Sequence, residues 1–314
     1  MNEAGSVAVG VDIGGTTVKL GLVQSDGRVL ARRRVAYASM PSFAALADML
    51  VSESLAMERE AQRKAVGIGV AAPGHAQVGD GVMVDGTANV PLLRNRSLAA
   101  ALRDRLDIPI STVNDGTAAA LGELSFGAGR GLDRFAVVTF GTGVGGGVVI
   151  DGCVVTGSAG EPPELGAVVL DAGANSPRTL EEFCCAGGFT AAYRRQGGLR
   201  ALAPPGIFAG AASGDEAASR AIEETCRRIA QGVGTLINVL NLQACLIGGG
   251  IALAGTPLLD PIRRNLRDFT WPYLLARAQV GLAQTGADAG ILGAAALALG
   301  LTEDALKTYG RNDG

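Results

Sequence analysis

Apolar positions along the chain follow two rhythms that alternate. Val7 to Ile13 is a short continuous apolar run, Gly14-Gly15-Thr16-Thr17 interrupts it, and Val18 to Val23 resumes it. A third run, from about Arg28 to Val35, follows the Ser25-Asp26-Gly27 turn. Runs of this length between turn residues predict an antiparallel meander of three strands. From Ser42 to Gln62 the period changes, with Phe43, Leu46, Leu50 and Leu55 at helical spacing and charges between them, which predicts an amphipathic helix. Val66 to Val70 reads as a glycine-interrupted strand ending at Pro73-Gly74, Leu98 to Leu106 as a helix, Ile108 to Val113 as a strand and Thr117 to Phe126 as a helix. The strand, glycine turn, strand plan then returns over Phe135 to Ile150. Beyond it the pattern predicts a helical region over Thr179 to Arg194 and a long helix from about Asp215 to Leu240. A strand at Ala244 to Ile247 follows, then helices near Pro257 to Phe269 and Ala289 to Leu299. Strands joined by helical crossovers indicate an α/β fold whose ligands gather at the carboxyl ends of strands. The repeated hairpin suggests duplicated lobes, and no low-complexity linker separates them.

Composition narrows the classes. The chain has 314 residues, 48% of them hydrophobic and 18% charged, enough apolar surface for a real core in one large domain or two ordinary ones. Lys plus Arg number 27 against 30 Asp plus Glu, a net charge of -3 with no basic block, so nucleic acid is not an expected partner. Glycine is the outlier at 47 of 314 residues, about twice the ordinary share of roughly 7%. It implies tight turns and close backbone approaches. Five cysteines (Cys153, Cys184, Cys185, Cys226, Cys245) show no C-x-x-C spacing, as expected of reduced thiols in a cytoplasmic protein. Met1 to Ser6 lacks the basic and apolar regions of a signal peptide. The uncharged stretch Ile229 to Leu259 is broken by Gly248-Gly249-Gly250 and Pro257. It therefore reads as helix, buried strand and turn, not as a membrane span.

Three segments carry candidate chemistry. In Asp12-Ile13-Gly14-Gly15-Thr16-Thr17-Val18-Lys19, glycines let backbone N–H groups approach an anion, threonine hydroxyls add donors, and Asp12 at a strand end suits a hydrated divalent cation. It is not a Walker motif, and an ordinary glycine hairpin turn satisfies the same pattern. Gly141-Thr142-Gly143-Val144-Gly145-Gly146-Gly147 is a second donor-rich loop on a second hairpin. Two such loops facing one another would grip a polyphosphate from both sides. Asn114-Asp115-Gly116-Thr117 stands between a buried strand and a helix. A carboxylate there is favoured by the helix N-terminus and is placed to accept a hydroxyl proton; capping the helix is the plainer reading.

Together these segments resemble the ROK family (repressors, open reading frames and sugar kinases) of the actin-like ATPase superfamily. The likeness rests on Val9 to Lys19, on Asn114-Asp115-Gly-Thr-Ala-Ala-Ala-Leu-Gly-Glu123 and on Phe140-Gly-Thr-Gly-Val-Gly-Gly-Gly147, in that order. It implies two lobes of duplicated ribonuclease H-like topology with the active-site cleft between them. The first lobe is expected over residues 1–116, with a C-terminal helix from about 290 to 314 packing back on it, and the second over 117–289. By position, Asp115 matches the family's catalytic base and Asn114 a sugar-hydroxyl ligand. Gly74 belongs to a Pro-Gly turn lining the sugar pocket, and Asn89 matches the asparagine of a sugar-binding segment whose Trp is missing here. Glu164, in Glu-Leu-Gly-Ala167, aligns with the glutamate of G-E-I-G-H, and is preferred over Glu161 because Leu165 to Asp171 continues the pattern. Glu181 aligns with the glutamate closing a cysteine-rich segment. Asp12, Gly14, Gly15, Thr16, Thr17, Lys19, Gly141, Thr142 and Gly143 would surround the phosphates, and Gly248-Gly249-Gly250 the adenosine side.

Two departures matter. The histidine of G-E-I-G-H is Ala167, and the zinc segment reads Gly173-Ala-Asn-Ser-Pro-Arg-Thr179 without cysteine, so no structural zinc is expected. The chain's one histidine, His75, follows Pro73-Gly74 and lies near the expected pocket or in an exposed loop. The resemblance thus implies a cytoplasmic ATP-dependent sugar kinase using Mg²⁺, held through water by Asp12, with glucose the default acceptor. Fructose, N-acetylhexosamines, allose, a cyclitol and polyphosphate as donor stay open, as does a non-catalytic sugar-binding relative. A sugar-responsive repressor is not expected, because the phosphate loop begins by Asp12 and leaves no room ahead for a helix-turn-helix. No membrane partner is expected; relatives are often dimers or tetramers, so a homodimer or homotetramer stays open.

Overall fold

The computed structural model describes residues 5–76, 81–158, 160–173 and 176–302. The chain begins with β1 (Val7–Ile13), β2 (Thr17–Gln24), β3 (Val29–Ala36), α1 (Phe43–Ala61), β4 (Ala65–Ala72), β5 (His75–Ala76), β6 (Met83–Asp85), α2 (Leu98–Arg103), β7 (Ile110–Asn114) and α3 (Asp115–Phe126). It continues through β8 (Phe135–Phe140), β9 (Val144–Ile150), β10 (Cys153–Val154), β11 (Val169–Asp171), β12 (Arg178–Thr179), α4 (Leu180–Cys184), α5 (Ala186–Arg195), α6 (Pro204–Ala212) and α7 (Glu216–Leu240). It ends with β13 (Ala244–Gly248), α8 (Thr256–Asn265), α9 (Pro272–Leu275), β14 (Gln279–Leu282) and α10 (Ala289–Ala298). Two five-stranded sheets have the same plan, β3-β2-β1-β4-β7 and β10-β9-β8-β13-β14. In each, two parallel strands extend an antiparallel meander, so the hairpin repeat visible in the sequence is a repeat of whole sheets. The chain divides into one unit of residues 1–131, 147–163 and 287–314 and a second of 132–146 and 164–286.

In the first unit, strand parity sorts two cores. Val7, Val9, Val11 and Ile13 of β1 join Val18, Leu20, Leu22, Ile68 and Val70 against Leu46, Leu50 and Met57 of α1. The alternate residues face α10, as the period of two requires. That second face is lined with glycine: a Cβ on Gly10 or Gly69 would overlap the backbone carbonyls of Ile291 or Ala294, and one on Gly293 the carbonyl of Ala118 in α3. Much of the glycine excess is therefore backbone-to-backbone packing of α10 on β1, β4 and α3. α10 ends at Ala298, short of the expected helix from about 290 to 314: residues 299–302 form a turn, and 303–314 lie outside the described residues.

The second unit is built around α7, whose Ala218, Ala221, Ile222, Thr225, Cys226, Ile229, Val233, Leu236 and Ile237 form one buried face. Asp215 caps it, accepting the Ala218 N–H at 3.1 Å. The Tyr193 hydroxyl also donates to Asp215 at 2.8 Å, and this bond, with the cap, holds the Asp215 carboxyl below its ordinary range. The expected single helical region over Thr179 to Arg194 is two helices. They break at Cys185, which is extended at φ -69 and ψ 173, and after the break Gly188 packs its backbone against the Phe183 carbonyl. All five cysteines are free thiols. Burial pushes Cys184 well up and Cys245 up to about 12, which leaves both unreactive. Among the described residues no helix is long and apolar enough to cross a membrane.

Candidate active site

The first unit gathers its candidates at the carboxyl ends of β1, β4 and β7. Asp12 pairs with Ala71 across β1 and β4, and Ala71 with Val113 across β4 and β7, so these ends share one row about 10 Å wide. Asp12 also stands directly opposite Lys19 on β2. Their side chains form an ion pair of 3.0 Å, and Lys19 Nζ donates further to the Ala287 carbonyl at 3.2 Å. Beneath the carboxylate lies Gly290 in the first turn of α10, where a Cβ would come within 2.6 Å of Asp12 Cγ. Gly290 went unnoticed in the sequence; the signal was a glycine opening an otherwise alanine-rich helix.

The Gly14-Gly15-Thr16 turn closes through Gly14 N–H donating to the Thr17 carbonyl at 3.0 Å. Gly15 rests on Asn89, whose carbonyl would lie 2.8 Å from a Cβ there. Tyr37 braces both segments: its N–H donates to Thr16 O at 2.9 Å and its hydroxyl accepts the Leu92 N–H at 3.1 Å. Burial pushes this phenol above its ordinary range. Gly74, at φ +94, leaves no room for a Cβ against the Asp85 carbonyl, so only glycine turns the chain there.

Asn114 connects this turn to α3. Its Nδ2 donates to the Gly74 carbonyl at 2.9 Å, while its Oδ1 accepts the N–H groups of Gly116 at 2.8 Å and Thr117 at 3.2 Å. Asn114 is thus the cap of α3, and Asp115 is the first helical residue, exposed, with Oδ1 2.9 Å from the Gly116 N–H. The plainer reading of this motif, helix capping, falls on Asn114 and not on Asp115.

In the second unit the Gly141-Thr142-Gly143 turn closes through Gly141 N–H to Gly143 O at 2.9 Å, and the Gly141 carbonyl accepts from Ala186 N–H at 2.8 Å. Glu181 Oε2 accepts the Val144 N–H at 2.8 Å and sits against Gly143. Gly166 brings the Glu164-Leu165-Gly166-Ala167 turn onto the Val144 carbonyl, leaving Glu164 exposed beside it. Gly249, at φ +81, lies against the Phe140 backbone, so Gly248-Gly249-Gly250 adjoins the same turn. Gly145, Gly146 and Gly147 belong to β9 rather than to the loop. Gly146 abuts Val137 O, and Gly147 abuts α3, so packing requires glycine at these two positions. Glu181 is carried by α4, which is held by Phe183 under the guanidinium groups of Arg178 and Arg228 at 3.8 and 4.4 Å.

Ser176, Pro177 and Arg178 occupy the end of the expected zinc segment; Ala174 and Asn175 lie outside the described residues. Among the described residues no group of three or more His, Cys, Asp or Glu could hold a metal ion.

Comparison with known proteins places the chain. The ROK family profile matches residues 8–300. A glucokinase of Thermotoga maritima is 32% identical over 311 residues, covering 92% of this chain and 96% of its own. An N-acetylmannosamine kinase of Citrobacter koseri is 30% identical over 295 residues, covering 92% and 98%. Among solved structures, a ROK family glucokinase from Streptomyces griseus in complex with glucose and AMPPNP superposes with a TM-score of 0.78 at 26% identity, covering 93% of this chain and 99% of that one. The chain belongs to the ROK family, among its sugar kinases, and has their α/β actin-like ATPase fold.

Proposed function

We propose that this sugar kinase transfers the γ-phosphoryl group of ATP to a hexose hydroxyl, with glucose as acceptor and Asp115 as general base. The observation that carries the reading is the division of labour at the start of α3. Asn114 Oδ1 accepts the Gly116 and Thr117 N–H groups and caps α3, while the adjacent Asp115, whose Oδ1 lies 2.9 Å from the Gly116 N–H, is exposed as the first helical residue. It projects from the first turn, where the helix N-terminus favours negative charge. A hydroxyl donating to Asp115 loses its proton as the bond to phosphorus forms, and the leaving group is ADP. Phosphoryl transfer depends mostly on positioning and electrostatics, so a strong base is not needed.

Gly74, Asn89 and Asn114 would hold the sugar on the first unit; Glu164 and Glu181 are the second unit's candidates. The backbone N–H groups at Gly14-Gly15-Thr16-Thr17 and Gly141-Thr142-Gly143 would take phosphate oxygens, with Lys19 adding positive charge and Gly248-Gly249-Gly250 the adenosine side. For Mg²⁺, the fit is that of a water-mediated ion. Asp12 uses Oδ2 for Lys19, and its remaining carboxylate oxygen would hold such an ion through water. Bound Mg²⁺ would neutralise charge on those phosphates.

Glu181 supplies a prediction. Removing its side chain leaves the Val144 N–H unpaired, which costs about 1–3 kcal/mol, and frees the Gly141–Gly143 turn. Glu181→Ala is expected to raise the KM for ATP about tenfold, whereas Glu181→Gln, still able to accept from Val144, stays within about threefold. Steady-state kinetics with varied ATP checks both.

The proposed function is tested by an ADP-release screen with Mg²⁺ and without added zinc. Acceptors are glucose, fructose, allose, N-acetylmannosamine, other N-acetylhexosamines and cyclitols, and polyphosphate serves as an alternative donor. Glucose-dependent ADP release supports the reading. Release only with an N-acetylhexosamine reassigns the acceptor, and sugar binding without release favours a non-catalytic protein.

A further inference from the structure

We propose that Tyr37 is a positioning residue for phosphoryl transfer, holding the phosphate turn and the acceptor segment at a fixed distance from one another. The inference rests on the sugar kinase reading above and deepens it. That reading puts phosphate on the Gly14-Gly15-Thr16-Thr17 turn and sugar on Asn89, two stretches far apart in the sequence. The structure joins them at three points. Gly15 rests on Asn89, whose carbonyl would lie 2.8 Å and whose Cβ 3.0 Å from a Cβ added there. The Tyr37 N–H donates to the Thr16 carbonyl at 2.9 Å, one step beyond the Thr17 and Ala36 pair that ends the β2 and β3 ladder. The Tyr37 hydroxyl accepts the Leu92 N–H at 3.1 Å. One residue therefore holds the turn by its backbone and the acceptor segment by its side chain.

The hydroxyl is not needed to fill space. Tyr37 is buried with Val90 and Leu93 in the core of the first unit, where a phenylalanine ring would serve as well. What the hydroxyl adds is an acceptor for one particular N–H. Pro91 opens a short 3-10 turn, Pro91–Leu93, and a helix start leaves its first N–H groups without an internal partner. The phenol meets that need for Leu92 and so fixes the turn that follows Asn89. Without it the Leu92 N–H is left unpaired, and the segment's direct ties to the phosphate turn fall to the packing of Asn89 on Gly15. Phosphoryl transfer depends on in-line placement of donor and acceptor, and a shift of about 1 Å caused away from the reacting atoms costs about a hundredfold in rate. A hydroxyl that never touches substrate acts in this way.

The test compares Tyr37→Phe and Ser39→Ala with the parent protein. Ser39 lies in the same short turn, Tyr37–Ser39, and its hydroxyl donates to the Ala36 carbonyl at 2.6 Å, so its loss removes a neighbouring hydrogen bond that reaches neither segment. Steady-state kinetics with the sugar selected by the ADP-release screen gives kcat and both KM values. Thermal melting gives stability, and amide hydrogen exchange reports the Leu92 N–H. Tyr37→Phe is expected to lower kcat about 5- to 50-fold, to leave the KM for acceptor and for ATP within about threefold, and to speed exchange at Leu92. Ser39→Ala is expected to keep the parental kcat whatever it does to the melting temperature. A parental kcat in Tyr37→Phe overturns the inference. So does a loss that falls on the acceptor KM alone, because the hydroxyl would then support the sugar site without linking it to the donor. An equal loss of kcat in Ser39→Ala overturns it too, since any loosening of the turn would suffice. An unprotected Leu92 amide in the parent protein overturns it without any variant. A parent protein that phosphorylates no acceptor overturns the kinase reading itself, which keeps the two failures apart.

Discussion

Replacing Asp115 by alanine is expected to lower kcat about a thousandfold, with the dissociation constant of the sugar changing less than about tenfold. General-base catalysis contributes roughly 10² to 10⁴ in rate, and a thousandfold corresponds to about 4 kcal/mol of barrier. Binding is spared because the polar groups proposed to hold the sugar, Asn114 and the Gly74 turn, keep their mutual hydrogen bond when the Asp115 side chain is removed. The fold is spared as well, since Asn114 rather than Asp115 caps α3. The lost helix-terminal charge is worth only about 0.3–1 kcal/mol. Single-turnover phosphorylation and calorimetric sugar titration read the two halves separately. An alanine variant that phosphorylates at near the parental rate removes Asp115 from the mechanism.

A second large effect is structural. Gly69→Ala and Gly293→Ala are each expected to destabilise the protein by about 3 kcal/mol or more, because each new Cβ meets a backbone carbonyl, Ala294 O and Ala118 O respectively. Backbone cannot rotate aside as a side chain can, so the strands and helices must separate. Gly281→Ala is the control: it lies in β14 with no atom within 4 Å of its added Cβ, and should change stability by less than about 0.5 kcal/mol. Urea unfolding of the three variants checks this. Parental midpoints for the first two would show that α10 does not pack through these glycines.

Much of the fold was legible locally. β1, β2 and β3 are short apolar runs between strong turn signals, and α1 follows from apolar residues at helical spacing; it begins at a serine cap, Ser42 Oγ accepting the Ala45 N–H at 3.1 Å. What escaped had weak or misleading local signals. α6 opens with Pro204-Pro205 and contains Gly206 and Gly210, residues that read as loop although proline suits the first helical turn. β14 is a four-residue strand with only Val280 buried, too short for its pattern to stand out. In the Gly141–Gly147 run, composition did not separate the turn residues from Gly146 and Gly147, whose backbones pack closely. The site was legible as residue types but not as contacts. Nothing near Glu181 announces that it accepts from Val144, 37 residues earlier. Nor does anything near Asp12 announce that Gly290 will lie beneath its carboxylate. Such pairings are decided by sheet register and by helix α10 returning to β1, which no local window contains. Asn114 and Asp115, by contrast, were ambiguous between capping the helix and accepting a proton, and hydrogen-bond geometry gives the cap to Asn114.

The most direct measurement follows the transferred group itself. ATP labelled on the γ-phosphate is incubated with the parental protein, Mg²⁺ and glucose, and the products are separated and counted. The account predicts labelled hexose phosphate formed one for one with ADP. Label appearing only as inorganic phosphate, or remaining in ATP with glucose and every other acceptor, would contradict it.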